Sequence, residues 1–188
     1  MRVIAGTYRS RPLAAPRGMK TRPTSDKLRE TLFNILAPRI VSCRFLDLYA
    51  GTGAVGIEAL SRGAEHVWFV ENAAAAAKVI RANLASLKIA SGYTVEARSV
   101  IAALERMSQQ KLVADVVFLD PPYEAEAEYA RVLDFLGSAR RLTTLAPDAV
   151  VVAEHRSKNA LAEQYGELER TRVVKQGDAA LSFFTVRA

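Results

Sequence analysis

From Phe45 onward the chain alternates between two hydrophobic periods. Short, densely apolar runs occur at RFLDLYA (44–50), HVWFVE (66–71), YTVEA (93–97), DVVFLD (115–120) and AVVVAE (149–154). Each is too short for a typical helix, and DVVFLD is too uniformly apolar for a strand with one wet face. They read as the strands of a parallel sheet covered on both sides. Between them, 54–62, 73–87, 99–108 and about 125–137 carry helical spacing; Ile80, Leu84 and Leu87 align on one stripe, and Gly63 closes the first helix.

The two ends of the chain follow other patterns. RVIAGTYRSRPL (2–13) reads as a short hairpin around Gly6, followed by a Pro- and Gly-containing loop to Pro23. TSDKLRETLFNIL (24–36) reads as a helix: Thr24 or Ser25 can cap it, Asp26 suits its positive end, and Leu28, Leu32, Ile35 and Leu36 form its apolar stripe. A weaker helix is expected near 157–164. The tail LERTRVVKQGDAALSFFTV reads as a hairpin turning at Gly177 and Asp178. The fold expected is therefore α/β: a doubly wound, mostly parallel, seven-stranded Rossmann-like sheet. It carries a C-terminal antiparallel hairpin and a small N-terminal basic hairpin extension. Residues 1–25 form that extension and 26–188 the main domain.

Ligands of such sheets bind beyond the carboxyl ends of the strands, and Asp47, Glu71, Ser99 and Asp120 lie near those ends. DLYAGTGAVG contains Gly51, Gly53 and Gly56 as GxGxxG between a strand and a helix, with Glu71 ending the next strand. By spacing alone this fits a dinucleotide. Asp47 argues otherwise, because a fixed carboxylate beside the loop would repel a pyrophosphate. S-adenosylmethionine carries no phosphate and brings an ammonium and a sulfonium, which that carboxylate attracts. Glu71 can accept both hydroxyls of a ribose.

After the fourth strand comes DPPY, Asp120 to Tyr123. Two prolines stiffen the turn and remove two backbone donors. An aromatic exocyclic amine is a poor nucleophile because its lone pair is delocalised into the ring. The Asp120 carboxylate and the Pro121 carbonyl can accept its two hydrogens out of the ring plane, which aims the lone pair at an incoming methyl. Pro122 holds the turn and Tyr123 can stack on the base. A carboxylate suits guanine, which presents two adjacent donors, better than adenine, although adenine-modifying enzymes also use an aspartate here.

Charge is unevenly placed along the chain. The net charge is +6, and residues 1–25 hold Arg2, Arg9, Arg11, Arg17, Lys20 and Arg22 with no acid. That is the footprint of a phosphate grip, with Arg9, Arg11, Lys20 and Arg22 the candidate contacts. Cys43 is the single cysteine, and His66 and His155 are far from any cysteine pair, so neither an internal disulfide nor a structural metal is expected. No apolar run approaches the length of a membrane span and the start lacks a signal-peptide core, which suits a cytoplasmic protein. Trp68 reads as core, His66 as solvated, and Glu154, His155 and Arg156 as rim positions.

In this order, RVIAGTYRSRPL, TRPTSDKLRETLFNIL, FLDLYAGTGAVGIEALSRGA, VEN and DPPY resemble the RsmD family, bacterial methyltransferases acting on guanine N2 of 16S ribosomal RNA. The resemblance covers essentially the whole chain. It implies a class I methyltransferase fold, with S-adenosylmethionine held by Asp47, Gly51 and Gly53 on the methionine and loop side and by Glu71 at the ribose. Tyr49 and Asn72 flank those positions, and Ser99 stands near the adenine ring where relatives often have Asp or Asn. Asp120, Pro121, Pro122 and Tyr123 would hold the target base. The partner implied is 16S ribosomal RNA within a small-subunit particle, with the enzyme a monomer. Two other readings remain: a DNA adenine-N6 or other amino methyltransferase using the same turn, and a non-catalytic ribosome-assembly factor that binds RNA through residues 1–25.

Overall fold

Helix formation begins where capping chemistry permits it. In the computed structural model, which describes residues 1–15, 25–122 and 125–187, the Ser25 hydroxyl accepts from the Leu28 amide at 3.1 Å and starts α1 (Asp26–Ile40). Strand and helix then alternate through β1 (Arg44–Leu48), α2 (Ala54–Ser61), β2 (His66–Val70), α3 (Ala74–Ser86), β3 (Tyr93–Glu96), α4 (Val100–Gln110), β4 (Ala114–Leu119) and α5 (Glu126–Gly137). The short α6 (Arg141–Thr144) leads into β5 (Leu145–Arg156), β6 (Gln164–Tyr165), β7 (Leu168–Gln176) and β8 (Ala179–Val186).

The sheet order is β3-β2-β1-β4-β5-β8-β7-β6. Pairing from β3 to β5 is parallel, and β8 joins β5 antiparallel. Alternation along each strand divides the core. Phe45, Val116, Phe118, Val150 and Val152 face α1, α2 and α3, where Leu32, Phe33 and Ile57 are wholly buried. Leu46, Leu48, Val117, Leu119, Val151 and Ala153 face α4 and α5. Two covered faces explain why these strands read as continuous apolar runs.

Three expectations need correction. The sheet has eight strands among the described residues, the extra one being the two-residue β6 on β7. Residues 157–164 make a turn and an extended stretch instead of a helix. Ser157 is bound through its amide to Asp178 O and through its hydroxyl to Gly177 O, and the Gly137 and Tyr165 backbones lie too close to admit a Cβ at Gly137. Those tertiary contacts override a weak helical propensity. The N-terminal hairpin is reduced to one bridge, Arg2 with Pro12, supported by Val3 N to Arg11 O at 3.0 Å and Ser10 N to Val3 O at 2.8 Å.

That segment is strapped to the domain. Val3 and Leu13 join the core beneath α1, α2 and α3. Glu58 on α2 accepts from the Ile4 and Ala5 amides at 2.7 and 3.0 Å, and Asn83 on α3 accepts from Ala14 N at 2.8 Å. Buried Arg29 donates to Arg2 O at 2.6 Å and to Asp26 at 3.0 Å. Among the described residues no helix is long and apolar enough to cross a membrane.

Candidate active site at the carboxyl ends of the strands

The chain turns from β1 to β2 on one side and places β4 on the other, so the carboxyl ends of β1 and β4 border the switch point of the sheet. Asp47 lies there, one residue before the end of β1 and opposite Phe118. It is 2 % exposed, and its carboxylate accepts from the Gly56 amide of α2 at 2.9 Å. Burial pushes its pKa up to about 7, Glu71 adds to the rise, and the Gly56 N–H opposes it.

The loop between β1 and α2 owes its shape to left-handed backbone at Tyr49, Gly51 and Gly53, with φ of 60°, 55° and 78°. The glycines do different work. A Cβ at Gly51 would meet only Tyr49 O at 3.9 Å, leaving open space above the loop. One at Gly53 would press Ile80 at 3.2 Å, and one at Gly56 would strike Phe69 at 2.3 Å. Gly51 therefore leaves room for a ligand, whereas Gly53 and Gly56 let the helix approach the sheet.

Glu71, just past β2, folds against this loop: its two oxygens accept from Gly51 N and Ala73 N, both at 2.8 Å. Tyr49 donates its hydroxyl to Glu128 of α5 at 2.7 Å, and burial with that carboxylate pushes the phenol pKa up. Asn72 is exposed beside Glu71. Ser99 is exposed too, and its hydroxyl accepts from Ala102 N at 3.4 Å as the cap of α4.

Asp120 follows β4 directly. It is half-buried, with Pro121 buried and Pro122 exposed behind it; Pro122 O accepts from Ala125 N at 2.8 Å. Its side chain falls on the same sheet face as Asp47 and Phe118, further toward the carboxyl edge. Its pKa is raised by burial first, then by Glu154 and by Asp47. Tyr123 lies outside the described residues.

Sequence reasoning misses two members of this constellation. Glu128 anchors Tyr49. Glu154 reads from sequence only as a rim position, yet it is 4 % exposed and acts electrostatically on Asp120. Its sequence signal is a carboxylate closing the apolar run AVVVA. Among the described residues, no group of three or more His, Cys, Asp or Glu is arranged to hold a metal.

The turn that carries Arg9 packs toward the other end of α2. Thr7 N bonds Ser61 O at 2.8 Å, at the last residue of α2, whereas the glycine loop enters the first. Eight residues of helix span about 12 Å. Arg9 and Arg11 are exposed on the turn beside Thr7; Lys20 and Arg22 lie outside the described residues.

Residues 1–185 match the family described as "Conserved hypothetical protein 95". The chain is 36% identical over 187 residues to "Putative rRNA methyltransferase YlbH" of Bacillus subtilis, spanning 100% of both proteins. It is 41% identical over 123 residues to "Ribosomal RNA small subunit methyltransferase D" of Escherichia coli, a match that covers 65% of this chain and 60% of that protein. Among solved structures, "Putative methyltransferase yhhF from Escherichia coli" superposes with a TM-score of 0.85 at 32% identity, covering 100% of this chain and 98% of the other.

Proposed function

The chain belongs to the family described as "Conserved hypothetical protein 95", the RsmD family of its sequence resemblance, and we propose that it methylates the N2 amine of one guanine in 16S ribosomal RNA. It is an S-adenosylmethionine-dependent methyltransferase, similar over its full length to a Bacillus subtilis protein and an Escherichia coli structure both described as methyltransferases. One observation carries the reading of the site. Asp47 and Asp120 sit on the same face of adjacent strands at the switch point, so a base held at Asp120 abuts a cofactor held at Asp47.

The residues present fit the cofactor. Asp47 offers a buried carboxylate to an ammonium, and the open space at Gly51 admits a ligand against the backbone. Glu71 stands past β2 to accept ribose hydroxyls. When bound, S-adenosylmethionine supplies an electrophilic methyl group.

The remaining chemistry belongs to the chain. The Asp120 carboxylate and the Pro121 carbonyl accept the two N2 hydrogens, which turns the nitrogen lone pair out of the ring plane. As the nitrogen takes on its methyl, Asp120 stands to accept a departing proton. Tyr123, next in the sequence, would stack on the base. The target must be out of any helical stack to reach this slot. The substrate in this reading is 16S ribosomal RNA in a small-subunit particle, and the enzyme works as a cytoplasmic monomer. The lone, buried Cys43 suits a reducing compartment.

The test is tritiated methyl transfer to small subunits purified from a strain lacking the gene, followed by nucleoside analysis. N2-methylguanosine is the expected product. A methylated adenosine, or cofactor binding without turnover, would replace this reading with the adenine-modifying or the non-catalytic one.

A further inference from the structure

Strands β4 and β5 run parallel and in register at their carboxyl ends, with Leu119 opposite Ala153. The next residues outward, Asp120 and Glu154, therefore stand side by side on strands about 4.8 Å apart. Alternation fixes their direction. Val116 and Phe118 precede Asp120 on the face covered by α1 to α3, and Val150 and Val152 precede Glu154 on that same face. Glu154 is 4 % exposed. Its backbone is held from two sides: its carbonyl accepts from Tyr129 OH at 2.8 Å, and it pairs with Leu181 of β8.

Glu154 puts an acid at the end of a row whose inner members on this face are Val150 and Val152. A second carboxylate beside Asp120 loses hydration and repels its neighbour, and burial together with Glu154 raises the Asp120 pKa. A costly arrangement of this kind within a site points to a ligand that uses it.

Guanine presents N1–H beside its N2 amine, two donors on one edge. Adenine presents N1 as an acceptor beside its amine. Two adjacent carboxylates match the first edge and repel the second. Resting on the guanine reading above, we propose that Glu154 is the specificity residue of this site, accepting N1–H while Asp120 and the Pro121 carbonyl take the N2 hydrogens. Discrimination then comes from an unmatched pair of acceptors when the wrong base enters, the kind of mismatch that gives large selectivity.

The test uses 2-aminopurine, which keeps the N2 amine but has an acceptor at N1. Small subunits are reconstituted with ligated RNA carrying guanine or 2-aminopurine at the target position. Single-turnover methylation is measured for the wild type and for Glu154→Gln, whose amide can accept from N1–H or donate to N1. The wild type should prefer guanine by about hundredfold or more, below the limit for sites built around a hydrogen bond. In Glu154→Gln that preference should fall to within about tenfold, with cofactor affinity retained. A structural role would slow both substrates by the same factor, so an unchanged ratio overturns the proposal. So does a wild type that methylates both bases equally, a result that holds even where the variant fails to fold. If the wild-type product on guanine is not N2-methylguanosine, the functional reading and this proposal fall together. If it is, and the ratio does not move, only the role of Glu154 is lost.

Discussion

The Tyr49 hydroxyl donates to the Glu128 carboxylate at 2.7 Å, tying the glycine loop after β1 to the helix that follows the base-holding turn. Tyr49 reaches this position with a left-handed backbone, φ 60°, a conformation costing about 1–2 kcal/mol for a residue with a side chain. A hydrogen bond to a charged group contributes about 1.5–3 kcal/mol and offsets that cost. Tyr49→Phe should therefore lower the unfolding free energy by about 1.5 kcal/mol, the low end because the ring is only half-buried. Glu128→Gln should add little on top of it. Denaturant melts of both single variants and the double variant check this; additive losses would mean that the two residues act separately.

Asp47 makes cofactor binding depend on pH. Its ordinary pKa of 3.8 rises to about 7, with burial the main cause. Between those values the folded apoprotein keeps a proton that the unfolded chain releases, so this group's contribution to stability falls as pH rises from about 4 to about 7. The ammonium of S-adenosylmethionine favours the ionised form, so binding must expel the proton at lower pH. Affinity should rise by up to about tenfold per pH unit toward 7 and then level off. Calorimetry from pH 5.5 to 8, in two buffers of different ionisation enthalpy, measures both the affinity and the released proton. Asp47→Asn should bind weakly and without that slope; a wild type with flat affinity would show that Asp47 does not meet the ammonium.

The glycines should separate by phenotype. Gly56→Ala drives a methyl group to 2.3 Å from Phe69 and 2.8 Å from Val67, and overpacking of that kind destabilises by about 1–3 kcal/mol. Its signature is a lower melting temperature. Gly51→Ala meets only Tyr49 O at 3.9 Å, so its cost to the fold is the left-handed backbone, about 1–2 kcal/mol. Its larger effect should be on cofactor affinity. Paired melting and binding titrations distinguish the two, and equal binding losses would contradict the division.

Asp120→Ala should abolish methyl transfer while leaving cofactor affinity nearly unchanged, because its carboxylate acts on the base. It should also raise the melting temperature slightly at neutral pH, since it removes a buried acid that Glu154 and Asp47 destabilise. Near-normal turnover in this variant would remove Asp120 from the chemistry.

Most of this site is legible before folding, for a physical reason. Glu71 and Asp120 each end, and Asp47 nearly ends, a run whose periodicity identifies a buried parallel strand, and in such sheets the carboxyl end is the ligand end. The glycine loop follows directly from local sequence. Pairing between distant segments is less visible. Alternation puts Glu154 on a face but does not say which residue stands beside it; that needs the Leu119–Ala153 register, set by packing and shifted between Ala114 and Val116. Glu128 is hidden because a helical carboxylate has no local sign of a phenol reaching it from another loop. Ser99 stands where a ligand contact is expected, but its hydroxyl caps α4. Residues 157–164 read as a helix because the tethers of Ser157 to the β7–β8 turn lie about twenty residues away.

Arg9 and Arg11 are exposed and form no ion pair among the described residues. Both lie on the turn beside Thr7, whose amide bonds Ser61 at the end of α2 away from the glycine loop. A ribosomal RNA strand passing along α2 from the base slot would reach them. Arg9→Gln with Arg11→Gln should therefore leave the affinity for S-adenosylmethionine unchanged and weaken the affinity for small-subunit RNA. The slope of log affinity against log salt should flatten by about 0.7–0.9 for each phosphate that is no longer neutralised. Adding Lys20→Gln and Arg22→Gln should flatten it further if the whole segment grips phosphate. Binding titrations at four or five salt concentrations measure the slope directly. An unchanged slope in the fourfold variant would place the grip on another surface, whatever becomes of catalysis at Asp120.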